Sequence, residues 1–176
     1  MVINYCGDNC FKIQSGKISI VTDPLPRFKG DVVLFVRAPE ESEKNQWPPE
    51  ANQIFGPGEY EIQGVEVDGW PAKNGTTSYI AKMEEMRLGF LGETGDSLEP
   101  GVLEKIGNAD ILFVSAKTNA KIIKQIQPKI VIPSYKKPEQ LKEFLKEIEQ
   151  KPETQEKLVI KKKELTPGTK VVVLKA

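Results

Sequence analysis

The chain changes rhythm partway along its length, and that change limits its fold more than any other feature. Up to Leu91 it consists of short β-rich runs separated by turn residues. Val2 to Cys6, Phe11 to Gln14 and Ile18 to Asp23 are such runs, divided by Gly7-Asp8-Asn9 and by Ser15-Gly16-Lys17. Asp31 to Val36 is almost continuously apolar, as a strand covered on both faces reads. Arg37 to Asn52 is polar and carries Pro39, Pro48 and Pro49, which predicts an irregular loop. Glu59 to Asp68 alternates, with Tyr60 and Ile62 on one phase and Val65 and Val67 on the other. Gly64 marks the slip, a bulge or a tight turn. Thr77 to Ala81 and Met86 to Leu91 continue as strands around a turn at Met83-Glu84-Glu85.

Beyond Leu91 strands alternate with helices. Pro100 to Ile106 reads as a short helix stopped by Gly107-Asn108, and Ala120 to Ile126 as another. Ala109 to Ser115 and Lys129 to Pro133 read as buried strands. Glu139 to Glu149 is the clearest helix: Leu141, Phe144, Leu145 and Ile148 share one face, and lysines alternate with glutamates on the other. Leu158 to Ile160 and Val171 to Leu174 close the chain as strands around the Thr166-Pro167-Gly168 turn. Lys161-Lys162-Lys163 reads as a solvated edge of that β-hairpin. Strands first and strand–helix alternation afterwards predict one α/β domain over residues 1–176, with two sheets and outer helices. No repeat with a period of roughly 20–50 residues and no phosphate-binding glycine loop interrupts it.

Composition narrows the chemistry. Lysine plus arginine equals aspartate plus glutamate, 25 against 25, so no global field draws nucleic acid or an anionic membrane. No apolar run reaches the length of a membrane span, and Met1 to Tyr5 lacks the basic-then-apolar start of a signal peptide, so the cytoplasm is the expected compartment. There is no histidine at all. That removes every imidazole-based metal site and every Ser–His or Cys–His nucleophile pair. Cys6 and Cys10 flank the first turn, a spacing compatible with a disulfide. In a reducing compartment they are expected to be small buried apolar side chains, and two thiolates alone make a poor zinc site.

Several segments, taken in order, resemble the small metallo-β-lactamase-superfamily proteins related to the ascorbate-6-phosphate lactonase group. They are Tyr5-Cys6-Gly7-Asp8-Asn9-Cys10-Phe11-Lys12-Ile13, Ile20-Val21-Thr22-Asp23-Pro24 and Phe55-Gly56-Pro57-Gly58-Glu59-Tyr60-Glu61-Ile62. Leu91-Gly92-Glu93-Thr94-Gly95, Ala109 to Val114 and Pro128 to Pro133 follow. The resemblance covers nearly the whole chain and implies a four-layer αββα sandwich. It equally marks a degenerate member. Where the family carries His-x-His-x-Asp-His, this chain has Arg37-Ala38-Pro39-Glu40-Glu41-Ser42, so the ligand positions become Arg37, Pro39, Glu41 and Ser42. The resemblance sets Glu93 in the place of the bridging aspartate, Tyr135 in that of the last histidine, and Asp8 where many relatives have a further histidine. Where another family histidine follows, Gly69-Trp70-Pro71 here leads into Ala72-Lys73-Asn74-Gly75, and the loop is shortened.

These positions form the candidate cleft: Asp8, Arg37, Pro39, Glu41, Ser42, Glu93 and Tyr135, with Lys73 and Lys136 as possible anion contacts. A dinuclear zinc site needs converging imidazoles and carboxylates, and a guanidinium among them stays charged and repels a dication. The expectation is therefore a metal-free, catalytically inactive protein without cofactor. It would bind an unknown small molecule or protein partner, with salt bridges such as Arg37 to Glu41 or Glu93 filling the vacated site. Three alternatives remain open: an Arg- and Lys-lined anion site, a magnesium or manganese site on Asp8, Glu41 and Glu93, or an interaction module. Asp23, ending a strand before proline, is expected to orient the adjacent loop. Trp47 and Trp70 are expected in loops flanking the cleft, as pocket wall or as packing.

Overall fold

The computed structural model describes residues 1–40 and 50–176. Ile3, Ile13 and Ile20 lie side by side across a meander of β1 (Val2–Gly7), β2 (Cys10–Ser15) and β3 (Ile18–Thr22), and all three are fully buried. Their alternation with polar neighbours fixes which face turns inward. The apolar run predicted after Asp31 becomes β4 (Val32–Phe35), parallel to β3, and β5 (Gln53–Phe55) runs parallel to β4. On the far side β13 (Lys157–Val159) pairs with β1. The result is a six-stranded sheet in the order β13-β1-β2-β3-β4-β5.

A second meander follows: β6 (Gly58–Ile62), β7 (Val65–Pro71), β8 (Thr77–Met83) and β9 (Met86–Phe90). Gln63 and Gly64 both hold positive φ, 51° and 79°, so the phase slip is a two-residue turn that suits strand twist. From β9 onward the pairing becomes parallel, through β10 (Ile111–Ser115), β11 (Ile130–Ser134) and β14 (Lys170–Val171). Parallel neighbours require crossovers, and helices supply them. They are α1 (Pro100–Ile106), with proline in its first turn, and α2 (Ala120–Ile126), capped by Asn119 Oδ1 on the Lys121 amide at 2.9 Å. This sheet runs β14-β11-β10-β9-β8-β7-β6. After β11 comes α3 (Pro138–Glu147), and the short β12 (Thr154–Gln155) pairs with β15 (Val173–Leu174).

The inner faces of the two large sheets share one apolar layer. Phe113 stands at its centre, 4.9 Å from the Phe11 ring across the gap and 4.8 Å from Phe90 beside it. A second layer covers the outer face of the seven-stranded sheet. There Ile106, Ile122, Ile126, Phe144 and Ile148, on or at the ends of the three helices, pack on Leu112, Val114 and Val131. The chain is thus the mixed α/β sandwich that the rhythm and the resemblance implied, a single domain of two large sheets with helices outside.

Two local expectations change. Lys161 to Lys163 do not edge a β-hairpin: β13 belongs to one sheet and β14 to the other, and Lys162–Glu164 form a 3-10 turn between them. Lys162 Nζ reaches the carboxylate of Asp110 at 2.5 Å, so this lysine ties the turn after β13 to the start of β10. The closing strand is also divided at Val172, giving β14 and β15.

Polar contacts lock the sheets together at one end. The Tyr135 amide donates to Tyr5 Oη at 3.0 Å, and that hydroxyl lies 2.7 Å from Tyr135 O and 2.8 Å from Asp8 O. Ser134 Oγ donates to Asn9 Oδ1 at 2.8 Å. Tyr5→Phe leaves these part-buried backbone groups without their partner. It is expected to cost about 1–3 kcal/mol in urea unfolding at unchanged m-value.

Candidate functional site

The carboxyl ends of β3, β4, β9, β10 and β11 all open on the same edge of the sandwich. Between them lies a cleft of about 850 Å³, within the size range of small-molecule sites. Each strand end delivers a few residues into it. β3 delivers Thr22 and Asp23, β4 Val36 and Arg37, and β9 Leu91 to Thr94. β10 delivers Ser115, Lys117 and Thr118, and β11 Ser134 to Lys136. The turn between β1 and β2 adds Asp8 and Asn9. Loops beyond strand carboxyl ends are where α/β sheets bind ligands, because side chains from several strands converge there.

Of the residues singled out from sequence, Asp8, Arg37, Pro39, Glu93, Tyr135 and Lys136 line this cleft. Glu41, Ser42 and Trp47 lie outside the described residues. Lys73 is not among the lining residues. Its amide donates to Glu93 O at 3.0 Å, and its side chain runs along Gly95. Trp70 is neither in a loop nor at the cleft. It sits in β7, 5 % exposed, within the layer under the helices, with Lys105 Nζ 5.6 Å from its ring centroid. An apolar indole on the outward phase of β7 is covered by α1, a tertiary contact that no local pattern announces.

The two described acids at candidate metal positions, Asp8 and Glu93, have partners on the protein. Asp8 pairs with Lys136 at 3.0 Å. Glu93 Oε2 accepts from Asn74 Nδ2 at 2.5 Å. Tyr135, in the place of the last family histidine, donates its hydroxyl to Leu174 O at 3.1 Å, and burial pushes its pKa up. Arg37 forms a bridge with Thr76 in the backbone ladder and donates through Nη1 to Ala38 O at 3.3 Å. Among the described residues no group of three or more His, Cys, Asp or Glu is placed to hold a metal ion. Among the described residues the donor set lacks imidazole, Asp8 and Glu93 have protein partners, and Arg37 lines the same cleft. These residues do not fit the family's two-metal centre.

Sequence reasoning passed over Lys117, Thr118 and Gln140, which also line the cleft. The available signal was their position just after the buried strand β10 or at the start of α3. Asp23 proves more informative than a loop-orienting role alone. Its Oδ1 accepts from the Arg37 amide at 3.2 Å, as the orienting role requires, and its φ of 34° is strained for a non-glycine residue. Its Oδ2 is shielded from solvent and has no hydrogen-bond partner. Burial is the main cause that pushes the Asp23 pKa up to about 7. The Arg37 amide and guanidinium oppose the shift, and Asp8 adds to it.

That shift has a defined sign. Below about pH 4 the carboxyl is protonated in both the folded and the unfolded chain. As pH rises to about 7 the unfolded chain releases this proton while the folded one keeps it, so stability falls across that window and levels above it. Asp23→Asn keeps an acceptor for Arg37 and removes the titration. Urea unfolding followed from pH 4 to 8 is expected to show a shallower fall for the variant than for the parent.

Comparison with known proteins agrees with this geometry. A family model described as the beta-lactamase superfamily domain matches residues 2–135. A candidate Zn-dependent hydrolase of the metallo-beta-lactamase superfamily from Thermotoga maritima superposes with a TM-score of 0.79 at 23% identity, over 99% of each chain. A candidate metal-dependent hydrolase from Parabacteroides distasonis gives 0.59 at 18%, covering 83% of this chain and 88% of its own. The metallo hydrolase Igni18 from Ignicoccus hospitalis gives 0.58 at 17%, over 84% and 90%. At such identities the likeness shows the fold alone. Among curated proteins none matches the sequence. Strand order, cleft position and the match over residues 2–135 lead to one assignment: the chain belongs to the beta-lactamase superfamily.

Proposed function

We propose that this chain is a metal-free, catalytically inactive member of its superfamily, serving as a binding or interaction protein through the cleft between its sheets. One observation carries the reading. Each described acid at a family ligand position is held by a neighbour on the protein, Asp8 by Lys136 and Glu93 by Asn74, beside a permanently charged Arg37. Water activation in the superfamily rests on metals that lower the pKa of a bound water, and this donor set offers no substitute for that field.

The cleft remains large enough for a small molecule, and Arg37, Lys117 and Lys136 bring cationic groups to its rim. That favours a ligand bearing a phosphate or carboxylate, recognised by charge-assisted hydrogen bonds. A protein partner presenting an acidic side chain to the same rim is the runner-up. The carboxylate site for magnesium or manganese would need Asp8 and Glu93 to leave their partners, and its third member, Glu41, lies outside the described residues.

Two measurements test the proposal together. Lactone and phosphoester hydrolysis, assayed with added zinc or manganese and again with chelator, is expected to stay at the buffer rate in both. Thermal melting in chelator with inorganic phosphate, sugar phosphates and nucleotides at millimolar concentration is expected to rise with at least one of them. Arg37→Ala should reduce that rise. Metal-dependent turnover that chelator abolishes would overturn the reading.

A further inference from the structure

The first hairpin carries a feature that the cleft chemistry does not use. Pairing between β1 and β2 runs Tyr5 to Phe11 and then Gly7 to Cys10, so Cys6 is an extra residue, a bulge. Tyr5 and Phe11 face the layer between the sheets. Cys6 and Cys10 instead form a small cluster with Val21, covered by Leu25 and Phe28. The bulge thus leaves both thiols in one small apolar cluster. Both are free, Cys10 is fully buried and Cys6 is 7% exposed, which makes Cys6 the sulfur that a small reagent meets first.

We propose that Cys6 and Cys10 form a reversible oxidation site, closed to a disulfide by a hydroperoxide, on the turn that carries Asp8 and Asn9 into the cleft. The two residues occupy neighbouring positions of paired strands, a separation that a disulfide spans without large backbone movement. Roles follow from the surroundings. The hydrogen bond from Cys10 holds the Cys6 thiol below its ordinary pKa, with Lys12 and Arg27 assisting, while the same contact and burial push Cys10 up. Cys6 is the attacking thiolate and Cys10 the resolving thiol.

In the first step Cys6 Sγ attacks one peroxide oxygen. The O–O bond breaks, the departing oxygen takes a proton and leaves as an alcohol, or as water from hydrogen peroxide, and Cys6 becomes a sulfenic acid. In the second step Cys10 Sγ attacks Cys6 Sγ. The S–O bond breaks, the hydroxyl leaves with the Cys10 proton as water, and the S–S bond forms. Two thiols are oxidised and one peroxide is reduced, and a small thiol such as dithiothreitol reverses the change.

The intervening turn is bolted to the opposite sheet by the Asp8–Lys136 pair and by Ser134 Oγ on Asn9 Oδ1, and Thr22 Oγ1 donates to Asn9 O at 3.0 Å. The oxidation state of the thiols therefore bears on one wall of the cleft, whatever the cleft binds.

The test is hydrogen peroxide treatment of the folded, reduced chain, then denaturation, alkylation, intact mass and peptide mapping. The expected result is loss of both alkylatable thiols to an intramolecular Cys6–Cys10 link that dithiothreitol restores. Cys10→Ser should leave Cys6 as a sulfenic acid trapped by dimedone, and Cys6→Ser should leave Cys10 unreacted. Amide NMR signals of Asp8, Asn9 and Ser134 should move on oxidation. Two thiols still alkylatable after peroxide, or linked only between chains, would overturn the site. Unmoved signals would overturn its link to the cleft. The unmodified chain decides both points even if a variant fails to fold.

Discussion

Everything in this molecule depends on closing the apolar layer between two sheets at the end where the strands stop. Phe11, Phe90 and Phe113 fill the middle of that layer by close ring contacts. At the cleft end the chain must instead satisfy backbone groups that no ladder continues to pair. Tyr5 does this across the gap, taking the Tyr135 amide and approaching two carbonyls, while Asn9 and Ser134 repeat the bolt beside it. In a metal-dependent relative the ligands themselves would bind strand ends from both sheets to a common centre. Among the described residues of this chain, hydrogen bonds and the Asp8–Lys136 pair link these ends.

The same need shapes the cleft. A buried polar atom without a partner costs free energy. Tyr135 answers this by reaching Leu174 O. Asp23 is the exception. One of its oxygens supports the Arg37 amide and the other has no partner, so its charge is penalised and its proton retained to near neutral pH.

Much of this was legible in the residues. The meanders, the parallel half and all three helices followed from alternation, turn residues and the stripe Leu141, Phe144, Leu145 and Ile148. Proline and glycine positions set element ends to within a residue or two. Asp8, Arg37, Glu93 and Tyr135 were found by counting along family segments, because strand ends are fixed in order even when side chains change. What escaped were contacts between distant segments. Lys162 reaches Asp110 across 52 residues, and Trp70 lies beneath α1, and neither partner is visible from spacing. Lys117 and Gln140 could be placed at element ends, but strand order in the sheet decides which of those ends meet at the cleft. Only strand pairing also showed that Cys6 is a bulge residue, and so which face it shares with Cys10.

Without imidazole, and with Arg37 in the same cleft as the partnered Asp8 and Glu93, this donor set does not suit paired divalent cations. Elemental analysis of the protein isolated without chelator from zinc-supplemented cells, after gel filtration, tests this. Metal well below one equivalent per chain is expected. Two zinc or manganese ions retained per chain, and lost when Glu93 is replaced by alanine, would contradict it.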